Sequence, residues 1–318
     1  MKFLLTLFTA STLLCGPVQA TFYHLTDKWV GQDFLDAFAW ENITDPTRGR
    51  VNYITQADSL AMNLTYAHGD RFIIRPDSVS VLDPNGPGRA SNRIISKKTF
   101  GHNTVIIADV RHMPQGCGTW PALWSTDVPW PDKGEIDIVE GVNDLGPNQI
   151  TLHTTANCTM PEVRPQTGTP RFNDCYWEAN NYAACGVKTN KPNSYGPDFN
   201  AAGGGWFAME RTPTYIRSWF WSRNDPTVPW EVKNPHSFFI GTPFWGLPVA
   251  NFPNNSCDIA SKFSPHHVII NLTFCGDWAG NDYGLSTCPG TCVDYVNNNP
   301  QAFVDAYWDI ASIRMYGW

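Results

Sequence analysis

Short apolar runs recur along the chain with the period of a strand, and helical spacing is almost absent. RFIIRP (71–76), SNRIISK (91–97), HNTVIIADVRH (102–112), GEIDIVE (134–140), NQITLHT (148–154), YIRSWFW (215–221), HHVIINLTF (266–274) and DIASIRMY (309–316) all read as strands. YIRSWFW alternates well: Tyr215, Arg217, Trp219 and Trp221 fall on one face, and Ile216, Ser218 and Phe220 on the other. One short helix is expected in NPQAFVDAYW from Asn299, with Pro300 near its start. Twenty-five Gly and 25 Pro are scattered between the runs as turn punctuation. Many short strands joined in this way predict an all-β protein, an antiparallel two-sheet sandwich. Repeats, low-complexity tracts and linkers are missing, so residues 21–318 read as one domain.

The alternation fails in one place. In GEIDIVE, Glu135 and Asp137 share a face against Ile136 and Ile138, and an even strand would then send Glu140 to the isoleucine side. A β-bulge would absorb one extra residue and return Glu140 to the face of the other two acids. Three readings of such a cluster stand open. Acids gathered on a solvent face of a strand are commonplace, and carboxylates in a row suit a hard cation such as calcium, although the spacing and loop glycine of an EF-hand are lacking. The third reading is glycoside cleavage with retention. That chemistry requires two carboxyl groups roughly 5–5.5 Å apart, one anionic to attack the anomeric carbon and one protonated for the leaving oxygen. Burial and neighbouring negative charge keep the second proton in place.

Composition shifts the balance among these readings. Charged residues make up only 16% of the chain and aromatic ones 14%, with 14 tryptophans. The net charge of −7 is spread thinly, which argues against nucleic acid as a partner. Part of the tryptophan belongs in a sandwich core, and the surplus suits sugar rings, whose C–H groups pack on an indole face. Trp120, Trp124 and Trp130 lie just before the acidic run. His266 and His267 are placed at a strand start rather than on a metal. Neither a G-x-S-x-G elbow nor an H-E-x-x-H helix is present.

The first twenty residues, MKFLLTLFTASTLLCGPVQA, carry Lys2, an apolar run and small residues before a cut, the pattern of a secretory signal peptide. Past it, no stretch is apolar enough to span a bilayer. Eight cysteines remain: Cys117, Cys158, Cys175, Cys185, Cys257, Cys275, Cys288 and Cys292. In an exported chain they are expected to form four disulfides, whose pairing the sequence leaves open. Sequons stand at Asn42, Asn63, Asn157, Asn254 and Asn271.

HMPQGCGTWPALW, GEIDIVEGVND, TLHTTANC, NSYGPDFNAAGGGWFAMER, IINLTFCGDWAG and CVDYVNNNPQAFVDAYWDIASIRMY resemble the secreted fungal laminarinases, the endo-β-1,3(4)-glucanases of glycoside hydrolase family 16. The resemblance covers nearly all of residues 21–318. It implies a jelly-roll sandwich of the concanavalin type, with a substrate cleft on its concave face, and a retaining double displacement on β-1,3- and mixed β-1,3/1,4-glucan. It further implies Glu135 as nucleophile, Glu140 as general acid/base and Asp137 as the group that sets the nucleophile's protonation. Trp124, Trp130, His153 and Trp278 are implied as cleft residues, and Asn52 and Arg93 as polar groups toward the glycone. A β-glucan transglycosylase would use the same glycosyl-enzyme, and a glucan-binding lectin would keep the tryptophans without needing the acids. No cofactor or metal is implied, and a secreted monomer is expected.

Overall fold

The computed structural model describes residues 22–318, so the predicted signal segment 1–20 lies outside the described residues. All eight predicted strand runs are strands, and they assort into two large antiparallel sheets of nine and eight strands. The eight-stranded sheet runs in the order Thr169–Pro170, Cys185–Lys188, Gln149–His153, Glu135–Glu140, Thr119–Thr126, His266–Phe274, Arg93–Phe100, Phe38–Trp40. Neighbours in that order come from opposite ends of the chain: Thr119–Thr126 pairs with His266–Phe274 along its whole length, Thr126 opposite His267 and Thr119 opposite Phe274. Such long-range pairing closes a jelly roll rather than a meander.

The core follows from the alternation. Leu123, Ile136, Val268, Ile270 and Ile94 point inward from the eight-stranded sheet. They meet Ile106, Ala108, Val110, Phe207, Met209, Ile216, Phe220, Ile313 and Met315 from the nine-stranded one. Burying each large apolar side chain favours the fold by about 1.5–3 kcal/mol, so this seam holds the two sheets together. The alternate positions Val105, Ile107, Trp206, Trp219, Trp221 and Tyr316 form a second apolar cluster on the outer side of the nine-stranded sheet, covered by Val232, Ile240 and Trp245. That sheet is therefore apolar on both faces. The eight-stranded sheet is apolar on one, and its other face carries the acids.

Helices are short. The predicted helix at Asn299 is a 3-10 turn, Pro300–Phe303, and the α-helix of this region lies ahead of it at Cys292–Asn298. Pro300 stops that helix, because a proline supplies no N–H to continue the ladder. Thr291 caps its start by accepting the Asp294 N–H. The eight cysteines form four disulfides, Cys117–Cys288, Cys158–Cys257, Cys175–Cys185 and Cys275–Cys292. Among the described residues no helix is long and apolar enough to cross a membrane. One sequon is structural: Asn271 is 6% exposed in mid-strand, accepts the Trp124 indole N–H and donates to the Tyr53 hydroxyl, leaving no room for a glycan.

Candidate active site

The acidic strand breaks register where the sequence loses its alternation. Against Thr119–Thr126, Glu135 faces Thr126, Ile136 faces Ser125 and Asp137 faces Trp124, after which Val139 faces Leu123 and Glu140 faces Ala122. Ile138 and Val139 thus share one partner, which is a β-bulge. Opposed residues share a face, and Thr126, Trp124 and Ala122 alternate evenly. Glu135, Asp137 and Glu140 are therefore all on the open face, while Ile136, Ile138 and Val139 all enter the core.

A bulge leaves backbone groups without strand partners, and here one side chain takes them. Pairing of the acidic strand with Gln149–His153 ends at Asp137 opposite Thr151. Just beyond, the fully buried Asn148 donates Nδ2–H to the Ile138 carbonyl at 3.0 Å and accepts the Glu140 N–H on Oδ1 at 2.9 Å. Asn148 is itself fixed, its backbone N–H donating to Ser194 Oγ at 3.0 Å. The approach to the strand is fixed by Gly134 at φ +75°, where a Cβ would lie 2.5 Å from the Phe263 ring.

Each acid has its own company. Trp130 Nε1–H donates to Glu135 Oε2 at 3.0 Å, and Trp120 Nε1–H donates to Glu140 Oε1 at 3.0 Å. His153, opposite Glu135 on the neighbouring strand, brings Nε2 to 3.4 Å from Asp137 Oδ2 and 3.8 Å from Glu135 Oε1. Burial above all, then the charge of Asp137, pushes both glutamates up to about 8, and burial pushes Asp137 up as well. The two indole donors and His153 pull the glutamates the other way. Such a group does not ionise all at once: each carboxyl that loses its proton makes the next harder to ionise, so part of the titration sets a protonated carboxyl beside an anionic one. That is the division of labour that retaining glycoside cleavage requires.

Other predicted residues are placed around this centre. Trp124 donates to Asn271 Oδ1 at 2.8 Å, and the Arg93 guanidinium lies 4.9 Å from its ring centre while pairing with Glu41 at 2.7 Å. Trp278 packs edge-on against Trp120, 5.8 Å between ring centres, and donates to Asp282. Asn52 is exposed on a two-stranded ribbon apart from the main sheets, and is not among the groups that contact the acids. Glu135, Asp137 and His153 each offer a donor atom within 4.8 Å of the others, a set that could hold a divalent cation once both carboxyls had lost their protons. Two participants escaped sequence reasoning. Trp120 was visible only as one tryptophan among several, and Asn148 looks like any turn asparagine before a strand.

A sandwich with one open face, crossed by buried carboxyls and indole donors, defines a carbohydrate-cleaving enzyme of the jelly-roll type. The chain belongs to glycoside hydrolase family 16: the model of the "XgeA-like, catalytic GH16 domain" matches residues 38–316. A probable endo-1,3(4)-beta-glucanase of Neosartorya fischeri is 41% identical over 94% of this chain, which spans 46% of that relative's length. Laminarinase 16A from Phanerochaete chrysosporium, solved with two beta-glucans (6-O-glucosyl-laminaritriose) in donor and acceptor sites, is 56% identical. It superposes with a TM-score of 0.91 over 93% of this chain and 100% of its own. An elongating beta-1,3-glucosyltransferase of the same family is 38% identical, with a TM-score of 0.86 over 92% and 99% of the two chains.

Proposed function

We propose that this chain is a secreted, monomeric endo-β-1,3(4)-glucanase that cleaves laminarin-type and mixed-linkage β-glucan with retention of configuration. The observation that carries the reading is the register shift at Ile138–Val139, which turns an apparently misdirected glutamate onto the face of the other two acids. Glu135 is the nucleophile. Of the two glutamates it is the one paired with His153, at 3.8 Å, and it has a donor in Trp130, both of which favour its anion. Glu140 keeps its proton, gives it to the leaving oxygen, and then takes one from the incoming water. Asp137, buried between them and beside His153, sets when the nucleophile ionises. Trp124, Trp278 and Arg93 bind sugar rings on either hand, with Asn52 at the edge. The names of the relatives support β-glucan as substrate. Four disulfides and the signal-like first twenty residues support export.

Transglycosylation is a second reading, favoured by the similarity to a glucosyltransferase. Both reactions pass through one glycosyl-enzyme and differ in whether water or a sugar hydroxyl resolves it. Incubation with laminarin, lichenan and curdlan, with products sized and linkages assigned, tests the first reading. Early proton NMR should show β reducing ends, and initial α-anomer would mean that the carboxyls act as an inverting pair.

A further inference from the structure

Of the two histidines at the head of strand His266–Phe274, the first is buried: His266 is 2% exposed and points into the core on the side of Val268. Both of its ring nitrogens are engaged. Nδ1 lies 3.1 Å from Ser125 Oγ, and Nε2 lies 2.7 Å from the Lys133 carbonyl oxygen. A carbonyl only accepts, so Nε2 carries the proton. Burial, and then the charge of Arg211, pushes the ring down to about 3, so it stays neutral and Nδ1 accepts the Ser125 hydroxyl.

The two partners differ in what they need. Ser125 belongs to strand Thr119–Thr126, which His266–Phe274 already pairs along its whole length. Lys133 stands outside any strand, two residues before Glu135, at the end of the segment that carries Trp130. Pairing of the acidic strand begins only at Glu135, so Lys133 depends on turn and side-chain contacts. Its carbonyl also accepts the Ser264 N–H at 3.1 Å, and the Gly134 carbonyl accepts Thr126 Oγ1–H at 2.7 Å. Ser264 is anchored in turn from the nine-stranded sheet: buried Arg211 donates to its carbonyl at 2.6 Å and to that of Phe263. His266 thus ties the start of the acidic strand to the core side of the sheet, opposite the open face.

We infer that His266 is a positioning residue for the nucleophile: its Nε2–H holds the Lys133 carbonyl from beneath the sheet and so fixes where Glu135, with its donor Trp130, projects. This rests on the reading of Glu135 as nucleophile. A residue that only filled the core would do so better with an apolar ring, because burying an imidazole sacrifices its hydration. The polar ring is matched to one donor direction, toward the turn. Attack on an anomeric carbon tolerates little error, and a displacement of about 1 Å costs about a hundredfold in rate.

The test isolates the attack of Glu135. A 2,4-dinitrophenyl 2-deoxy-2-fluoro-β-laminaribioside serves as the probe. The Glu135 carboxylate oxygen bonds to its anomeric carbon as dinitrophenolate departs with the bonding pair, without a proton from Glu140. Intact mass follows the trapped glycosyl-enzyme, so the rate constant refers only to molecules folded well enough to react. His266→Asn keeps a buried amide near Ser125 but is too short for Lys133, and its trapping should slow about ten- to a hundredfold. His266→Gln places an amide N–H where Nε2 stood and should trap within a few-fold of the wild-type rate. Ser125→Ala removes the other partner, and should lower the melting temperature while leaving the trapping rate unchanged. Wild-type trapping by His266→Asn, or trapping slowed tenfold in His266→Gln or in Ser125→Ala, overturns the inference and leaves the glucanase reading intact. A wild type that is never trapped at Glu135 overturns the nucleophile assignment as well.

Discussion

Two sets of buried carboxyls stand on the two sheets of this molecule, and they are treated in opposite ways. Glu210, fully buried on the nine-stranded sheet, receives three hydroxyl donors on one oxygen: Tyr23 at 2.8 Å, Thr242 at 2.8 Å and Tyr215 at 3.1 Å. Burial, and then the charge of Glu210, raises both phenols and pushes Tyr215 up to about 12, so these donors keep their protons over the whole working range. Glu135, Asp137 and Glu140 have one indole donor for each glutamate; an oxygen without a hydrogen bond does not separate the two sets, since Asp137 Oδ2 and Glu210 Oε2 are both buried without one. Three acids crowded together with so few donors hold protons they would lose in water. The comparison teaches that burial alone does not mark a functional acid. A buried carboxylate supplied with donors is part of the scaffold, and an undersupplied cluster of acids is poised for proton transfer.

The largest effect that could break this contrast is loss of an acid. Glu135→Gln and Glu140→Gln should each remove most turnover on laminarin; loss of general acid/base help alone costs about 10²–10⁴ in rate. Azide should partly rescue Glu140→Ala on a substrate with a good leaving group. Glu210→Gln should instead retain the rate and lower the melting temperature, because the amide's N–H₂ meets hydroxyls arranged to donate; a mismatch of this kind costs about 1–3 kcal/mol. Near wild-type turnover in Glu140→Ala, or a dead Glu210→Gln that is still folded, would erase the distinction.

Stability against pH separates the same groups. The acids of the open face have folded pKa values above their unfolded ones, so the native state binds more protons between about pH 4.5 and 8. Whatever stability they contribute is present below the unfolded pKa and is lost as pH rises through that window. Glu140→Gln should flatten the decline, as read by denaturant melts at pH 5 and pH 8. An equal slope in the wild type and the variant would mean that burial does not raise this carboxyl.

The bulge itself comes next. Asn148→Ala would leave the Ile138 carbonyl and the Glu140 N–H without partners, at about 1–3 kcal/mol for each. Turnover should fall roughly tenfold to a hundredfold, since an acid displaced by about 1 Å loses that much, with KM little changed. Deleting Val139 gives an evenly alternating EIDIE that needs no bulge, so measurable activity should survive on a less stable fold. Loss of activity in the deletion together with full activity in Asn148→Ala would show that the bulge does not position Glu140.

Strand positions and their inward faces were legible because period-two alternation reports directly on a surface with one apolar side. Even the bulge was legible, as a failure of that alternation at Glu140. Asn148 was not, because a side chain that replaces strand pairing is chosen by the three-dimensional gap and leaves no periodic trace. The tryptophan count was equally ambiguous. Trp219 and Trp221 bury themselves under Trp245, while Trp120 and Trp130 face the acids. Only the register of each strand decides between these fates.

The smallest effect expected is also the most selective. Each glutamate has its own indole donor, and a donor to the charged form lowers a carboxyl's pKa. Trp130→Phe removes the Nε1–H from Glu135, so the nucleophile should ionise at higher pH and the acidic limb of the kcat/KM profile should move upward. Trp120→Phe removes the donor from Glu140, so the acid should keep its proton longer and the alkaline limb should move upward instead. Phenylalanine keeps an aromatic face in each place, which limits loss of sugar packing. One limb per indole is the expected signature, with a shift of a fraction of a pH unit to about one, the range for a single hydrogen bond to a charged group. Both limbs moving together in either variant would mean that the two carboxyls titrate as one unit. The roles assigned to Glu135 and Glu140 could then not be separated by pH, and the contrast with Glu210 would reduce to one of crowding alone.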